Sequence, residues 1–405
     1  MKTKIAIACQ GGGAETAFTA GALQALFEAG IDKNFEIVSI GGTSGGAVCS
    51  ALVWYALHAG ERPVSQRLTD FWTGSNQAKS MQEQFFNQMM VTMSRLIGKG
   101  LMPSIEISPY NPFAKALYQM ATFGQRKTFS DFKEALKANI DFDRIKEWGP
   151  LDKRPILVVG AAGVLSGHIR KFCSRTEVIE VEHILASCCV PNIFPAVEIG
   201  DDAYWDGLFA DNPPVAALLV RPLVGEGNIP EEIWLIKIEP TTRATVPTEP
   251  NDILDRRKQM EGNTALMNQL AAIYKTNDIY LSGGFNVEWL RSAQVEHAIR
   301  VPKIYADSED RPYHIPHIEM SPELYQKIDW EAKLDRSAEN IGMLIEDGRK
   351  RALEFLEVRK RVVESTELPS PHAPGSRAKV VSRTDSNNAT ALGIESVRAA
   401  RESRK

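Results

Sequence analysis

No apolar run in this 405-residue chain approaches the roughly 18 residues needed to cross a bilayer, so any membrane contact is expected to be peripheral. Positive charge is not in excess either. The 47 Lys and Arg stand against 51 Asp and Glu, and a formal net charge of −4 gives no basic footprint for nucleic acid. Cysteine is scarce: Cys9, Cys49, Cys173, Cys188 and Cys189 sit mostly in apolar or small-residue runs, form no Cys-x-x-Cys pair, and cannot all pair with one another. That pattern suits buried hydrophobes in a reducing, cytoplasmic compartment. Nor is a secretory signal expected, because Met-Lys-Thr-Lys runs into Ile5–Cys9, an apolar stretch too short for a signal core and read here as the first strand. No metal and no cofactor are expected, and there is no internal repeat. What is present is length and 43% hydrophobic residues, enough for one large domain with an appendage or for two domains.

The first sixty residues read as strand (Ile5 to Cys9), glycine turn, helix (Ala17 to Ala29), strand (Phe35 to Ile40), glycine turn and helix (Ala47 to Leu57). Continuous apolar strands alternating with helices indicate a parallel sheet covered on both faces. Further strands are expected at Pro155–Gly160, His168–Cys173 and Ile233–Ile238, in the same sheet, with helices at Ile253–Tyr274 and Ser337–Val362. Between Met81 and Ile97, Met81, Phe85, Phe86, Met89, Met90 and Met93 recur at helical spacing. This helix belongs either to the core or to a wall of an acyl cleft, and both readings predict that its apolar face is buried. Beyond Ser365 the chain is rich in Ser, Pro, Ala, Arg and Asn without periodicity, which predicts a disordered tail.

Two glycine turns follow strands. In the second, Gly42-Thr43-Ser44-Gly45-Gly46 places a serine between small residues, after a strand and before a helix, the pattern of a nucleophile elbow. Small residues suit it because the turn is tight and strand and helix approach closely beneath the serine. The Gly45 N–H, at the helix start, suits a developing oxyanion. A phosphate loop does not fit, since Gly-Lys-Ser/Thr is absent. In the first turn, Gln10-Gly11-Gly12-Gly13-Ala14-Glu15-Thr16 exposes backbone N–H groups with no Cβ in the way, which suits an oxyanion hole. A dinucleotide fingerprint fits poorly, because Thr16 replaces the third glycine of that pattern and no acidic residue ends the second strand.

An activated serine needs a proton acceptor. The seven histidines are His58, His168, His183, His297, His314, His317 and His372, and only His314-Ile-Pro-His317 suggests a metal pair or a triad histidine. Asp206-Gly207, followed by Asp211-Asn212-Pro213-Pro214, is the stronger candidate, although Asp-Gly is also a common turn pair.

The glycine triplet, the elbow serine and the Asp-Gly, in that order, together with Ala186-Ser-x-x-x-Pro191, Phe194-Pro195 and Asp211-Asn212-Pro213, resemble the patatin-like phospholipase family over residues 4–240. The resemblance implies a three-layer α/β/α fold with a mostly parallel sheet, a Ser-Asp dyad without histidine, no metal, and hydrolysis of acyl esters in phospholipids or neutral lipids. Carried onto this chain, Ser44 is the nucleophile, Asp206 the base, Gly11, Gly12, Gly13 and Gly45 the oxyanion amides, and Gly42, Gly46 and Gly207 the remaining motif positions. Two departures stand out: the family usually has Arg or Lys and then Gly where this chain has Glu15 and Thr16, and Asp206-Gly207 is followed by Leu208. The expected organisation is a catalytic domain at 4–240 with a helical insertion at 63–150, an extension at 241–364 packed on it, and a tail at 365–405. Lipid is the expected partner, and the oligomeric state is open. The alternative is a catalytically weak or inactive protein of the same fold that binds lipid or a regulatory partner, a reading motivated by Glu15 and the long extension.

Overall fold

A computed structural model of the chain describes residues 2–103, 108–191, 193–243, 245–281, 284 and 315–365. The chain divides into two units, 1–362 and 363–405, and the sheet with its covering helices belongs to the first. The expected disordered tail beyond Ser365 lies outside the described residues, as do His297, His314 and His372.

The architecture is α/β with a central, mostly parallel sheet. Its strands are β1 (Lys4–Cys9), β2 (Glu36–Gly42), β3 (Ile156–Gly163), β4 (Ile169–Cys173), β5 (Val197–Ile199), β6 (Asp202–Asp206), β7 (Glu232–Lys237) and β8 (His317–Glu319). They are ordered β5-β6-β3-β2-β1-β7-β8, with β4 also paired to β3. The β1, β2, β3, β7 and β8 pairings are parallel, whereas β4, β5 and β6 run antiparallel to their neighbours. The sheet therefore does not stop near residue 240, since β8 extends it from beyond the large helix that follows β7.

Strand periodicity assigns the two faces. On β1, Ile5, Ile7 and Cys9 join one core with α1 (Ala17–Glu28), α2 (Gly45–Ala59) and α7 (Ala338–Ser365), while Ala6 and Ala8 join the other. The second core is closed by Leu266, Leu270 and Ile273 of α6 (Pro250–Leu281), a stripe at helical spacing. α1 and α7 cross in close contact at two glycines: a Cβ on Gly21 would stand 2.0 Å from the Ile345 carbonyl oxygen, and one on Gly348 2.0 Å from that of Phe18.

The segment between α2 and β3 is helical, and its longest member is α3 (Met81–Gly98), started by a capping box between Ser80 and Glu83. Here the expectation of a buried apolar face holds only for Phe86 and, in part, Met89. α3 buries Glu83, Phe86, Asn87, Val91 and Gly98, whereas Met81 is 86% and Phe85 72% exposed and Met90 and Met93 are also exposed. The reason is that the polar side chains have better partners inside. Arg126 clasps the Glu83 carboxylate through Nε at 2.8 Å and Nη2 at 2.9 Å, and Asn87 bonds Asp335 and the N–H of Arg336 at 2.7 and 2.8 Å.

Candidate active site

The elbow is built by close approach. Ser44 is the N-cap of α2 with φ 55° and ψ −132°, and it is the one non-glycine among the described residues with positive φ. Such a conformation costs on the order of 1–3 kcal/mol and persists only where surrounding structure imposes it. That structure is visible in the neighbouring glycines. A Cβ on Gly46 would lie 2.1 Å from the Cys9 carbonyl oxygen at the end of β1, and one on Gly42 2.3 Å from the backbone of Gly46. The Ser44 N–H is held by Ser187, through its carbonyl at 3.1 Å and its hydroxyl at 3.0 Å, and the Ser187 hydroxyl in turn donates to the Gly160 carbonyl at 2.6 Å. Ser187, at the end of the helix Val181–Ser187, thus ties the elbow to β3.

Sheet register brings Asp206 to the same place across 162 residues of chain. β2 pairs with β3 up to Gly42↔Val159 and then turns into the elbow. β4 pairs with β3 over Val158–Ala162, so the other edge of β3 is the one open to a further strand past Val159. β6 enters there antiparallel, with Asp206↔Ala161, on the line that β2 has just left. Asp206 is fully buried; its N–H donates to the Cys189 carbonyl at 2.8 Å and its Oδ1 accepts from Leu208 N–H at 2.9 Å. Burial pushes its carboxyl up from 3.8 to about 7, opposed by the Ser44 hydroxyl and the Leu208 N–H, both of which favour the carboxylate. Oδ2 has no hydrogen-bond partner among the described residues. The Ser44 hydroxyl is thus a neighbour of this carboxyl, not a tightly aligned donor to it. Ser44 is 8% exposed.

The glycine loop lies against the elbow. A Cβ on Gly11 would meet the Thr43 carbonyl oxygen at 2.3 Å and Ser44 Cβ at 2.5 Å, and one on Gly45 would meet Thr16 Oγ1 at 2.3 Å. The amides are not equivalent. Gly11 N–H donates to Asn212 Oδ1 at 2.7 Å and Gly12 N–H to Thr16 Oγ1 at 3.1 Å, whereas those of Gly13 and Gly45 have no hydrogen-bond partner among the described residues. Asn212 also donates to the Gly11 carbonyl at 3.2 Å, and Gln10 Oε1 accepts from Ile238 and Glu239 N–H at 2.8 Å each. Gln10 and Asn212 were legible only as motif letters; the structure gives them work as clamps on the triplet. Gly207 packs on the same seam, where a Cβ would stand 2.9 Å from both the Gly160 carbonyl oxygen and the Thr43 methyl.

Glu15 is buried beneath this loop. A short turn of helix at Trp330–Lys333 packs on Gly13–Thr16, with the Lys333 carbonyl oxygen 2.6 Å from where a Gly13 Cβ would be. Burial raises the Glu15 carboxyl to about 8; the Lys333 ammonium opposes the rise, and Glu239, Asp255 and Asp329 add to it. Lys333 bonds Glu239 and Asp255 at 2.8 Å each. No sequence pattern ties residue 333 to residue 15.

The described histidines are engaged elsewhere or lie open to solvent. His58 bonds the Pro155 carbonyl, His183 stacks on Phe172, His317 sits in β8 against Ile315, and His168 is exposed. Among the described residues no group of three His, Cys, Asp or Glu side chains is arranged to hold a metal ion.

With this geometry in view, comparison with known proteins is direct: residues 7–219, more than half of the chain, match the family described as patatin-like phospholipase. The chain belongs to the patatin-like phospholipase family. Lipid acyl hydrolysis is the activity that goes with membership. The glycine triplet, the elbow, Asp206 and Asn212 all fall within the matched residues. The solved structures that resemble the chain include VipD from Legionella pneumophila, at 15% identity and a TM-score of 0.38, covering 88% of this chain and 67% of that one. No curated protein matches the chain.

Proposed function

We propose that this member of the patatin-like phospholipase family hydrolyses fatty-acyl esters of phospholipids or neutral lipids through Ser44 and Asp206. The observation that carries the reading is the β3 register, in which β6 replaces β2 at the point where β2 turns into the elbow, so that a buried carboxyl and a strained, positive-φ serine share one end of the sheet. Ser44 Oγ attacks the ester carbonyl while its proton passes to Asp206. The tetrahedral oxyanion is held by the uncommitted N–H groups of Gly13 and Gly45, with the dipole of α2 behind Gly45. Collapse expels the alcohol with the proton from Asp206 and leaves an acyl-Ser44. Water then attacks, its proton again taken by Asp206, and the fatty acid departs as Ser44 is reprotonated. A carboxyl titrating near 7 suits this exchange of proton at neutral pH better than one at 3.8.

Labelling by a fluorophosphonate, together with hydrolysis of a panel of phospholipids and acylglycerols, tests the reading. Wild-type protein should label and hydrolyse, and Ser44→Ala should do neither while remaining folded. Folded wild-type protein that neither labels nor hydrolyses would leave a lipid-binding or regulatory module of the same fold.

A further inference from the structure

α3 docks a mixed stripe on the protein, Glu83 and Asn87 beside Phe86 and Val91, and leaves Met81, Phe85, Met90 and Met93 in solvent. It does not stand alone. The next helix, α4 (Pro112–Ala121), has no buried residue, and it presents Phe113, Leu117 and Met120 at i, i+4 and i+7, 69%, 53% and 76% exposed, followed by Phe123 at 87%. The two helices lie side by side: the Phe86 and Tyr118 rings are 6.2 Å apart, and a Cβ on Gly124 would stand 3.2 Å from Gln82 Oε1, which puts Phe123 beside the first turn of α3 and Met81. Arg126, just beyond, fixes the arrangement through Glu83. A joined apolar surface of this kind on a water-soluble face marks a binding surface.

Charge identifies what it binds. Residues 79–127 hold six Lys and Arg against two Asp and Glu, in a chain whose formal net charge is −4. Of these, Lys79, Lys99, Lys115 and Lys127 are exposed and have no ion-pair partner among the described residues. Aromatic and aliphatic side chains at helical spacing rimmed by unpaired lysines are the pattern of a helix lying in the interface of an anionic membrane. The surface also leads to the catalytic end of the sheet. The hydroxyl of Tyr110, just before α4, accepts from the N–H of Ala196 at 2.8 Å, at the end of a turn whose Ile193 and Phe194 are 52% and 45% exposed and whose Cys189 carbonyl receives the Asp206 N–H.

We propose that α3 and α4, continued by the turn at Ile193 and Phe194, dock on the surface of an anionic phospholipid bilayer and bring the Ser44 site to acyl esters held there. This rests on the lipid acyl hydrolase reading for its consequence, and its test is chosen to be independent of catalysis. Full-length Ser44→Ala protein is sedimented with vesicles of phosphatidylcholine alone and of phosphatidylcholine containing phosphatidylserine. The same is done with Leu117→Glu and Met120→Glu added together, two exposed positions. Strong partitioning onto the serine-lipid vesicles is expected, weaker onto phosphatidylcholine and reduced by salt, and the double substitution should lower it at least tenfold. In the wild-type background the same pair should leave the melting temperature and the hydrolysis of a water-soluble short-chain ester unchanged. No vesicle binding, or binding indifferent to the pair, would overturn the proposal. A dimer in analytical ultracentrifugation that the pair dissolves, without vesicle binding, would instead assign the face to a second copy of this chain. Vesicle binding without hydrolysis of the soluble ester would leave the surface standing and bring down the catalytic reading.

Discussion

Replacing Asp206 by asparagine should make the protein inactive and, above neutral pH, more stable. Burial raises this carboxyl from 3.8 to about 7, so between those values the folded protein holds a proton that the unfolded chain has released. Stability linked to this group is therefore greatest below pH 4, falls as pH rises through the window from about 4 to 7, and is level beyond it. The full displacement corresponds to at most about 4 kcal/mol of cost for the ionised, buried carboxylate at pH 8. Asparagine keeps the oxygen that accepts the Leu208 N–H and removes the charge. Urea unfolding of Asp206→Asn and wild type in parallel should thus show little difference near pH 4 and a gain for the variant that grows to a few kcal/mol at pH 8. The buried Glu15 carboxyl titrates in both proteins and cancels from the difference. Hydrolysis of a soluble ester by wild-type protein should rise with pH through a single ionisation near 7, the same group now read as a base. A stability difference that is flat in pH, or an asparagine variant weaker than wild type at pH 8, would refute the account of a carboxyl kept protonated by burial.

Ser44→Ala and Asp206→Ala should each remove nearly all ester hydrolysis, with the double variant little worse than either, as measured on a nitrophenyl ester. Gly11→Ala should abolish activity and cost about 1–3 kcal/mol or more, because the new Cβ would stand 2.3 Å from the Thr43 carbonyl oxygen and 2.5 Å from the Ser44 Cβ and displace the elbow; kinetics and a melting curve on one preparation check this. Lys333→Met should destabilise by about 3–5 kcal/mol, since Glu239 and Asp255 lose the cation they bond, and Glu15→Gln added to it should recover part of the loss at pH 8, both measured by urea midpoints. Gly348→Ala should cost about 1–3 kcal/mol or more, because α7 would be pushed off α1.

The parts of the fold that could be read in advance are those whose signal is local. β1, α1, β2 and α2 are each a run of apolar residues ended by glycine, and their observed bounds lie within about two residues of the sequence reading. β8 was not legible, because three residues at His317–Glu319 carry no periodicity and gain their strand character by pairing with β7. α3 shows a different failure. Its spacing was correctly helical, but periodicity identifies an apolar face without saying what that face meets, and here Arg126, Asp335 and Arg336 reward burial of the polar side. Within the site, Ser44 and Asp206 stand out as motif residues, whereas Ser187 and Asn212 hold the elbow and the loop by side-chain contacts to Ser44 and Gly11, more than 140 residues away.

Glu15 shows how far such distant partners reach. An acid where the family usually has a cation, one helical turn from oxyanion amides, reads in sequence as a threat to catalysis. In the fold its carboxyl is buried, raised to about 8 and faced by Lys333, so that near neutral pH little negative charge of its own bears on the loop. The cation that faces Glu15 comes from the segment beyond β8, and Glu239, just past β7, and Asp255 of α6 hold it in place. The Lys333 carbonyl closing against Gly13 makes the same contact steric as well as electrostatic. It follows that the extension after residue 240 is part of the floor on which the glycine loop rests. Removing it should cost the amides proposed to hold the oxyanion their geometry even where the first 240 residues remain folded.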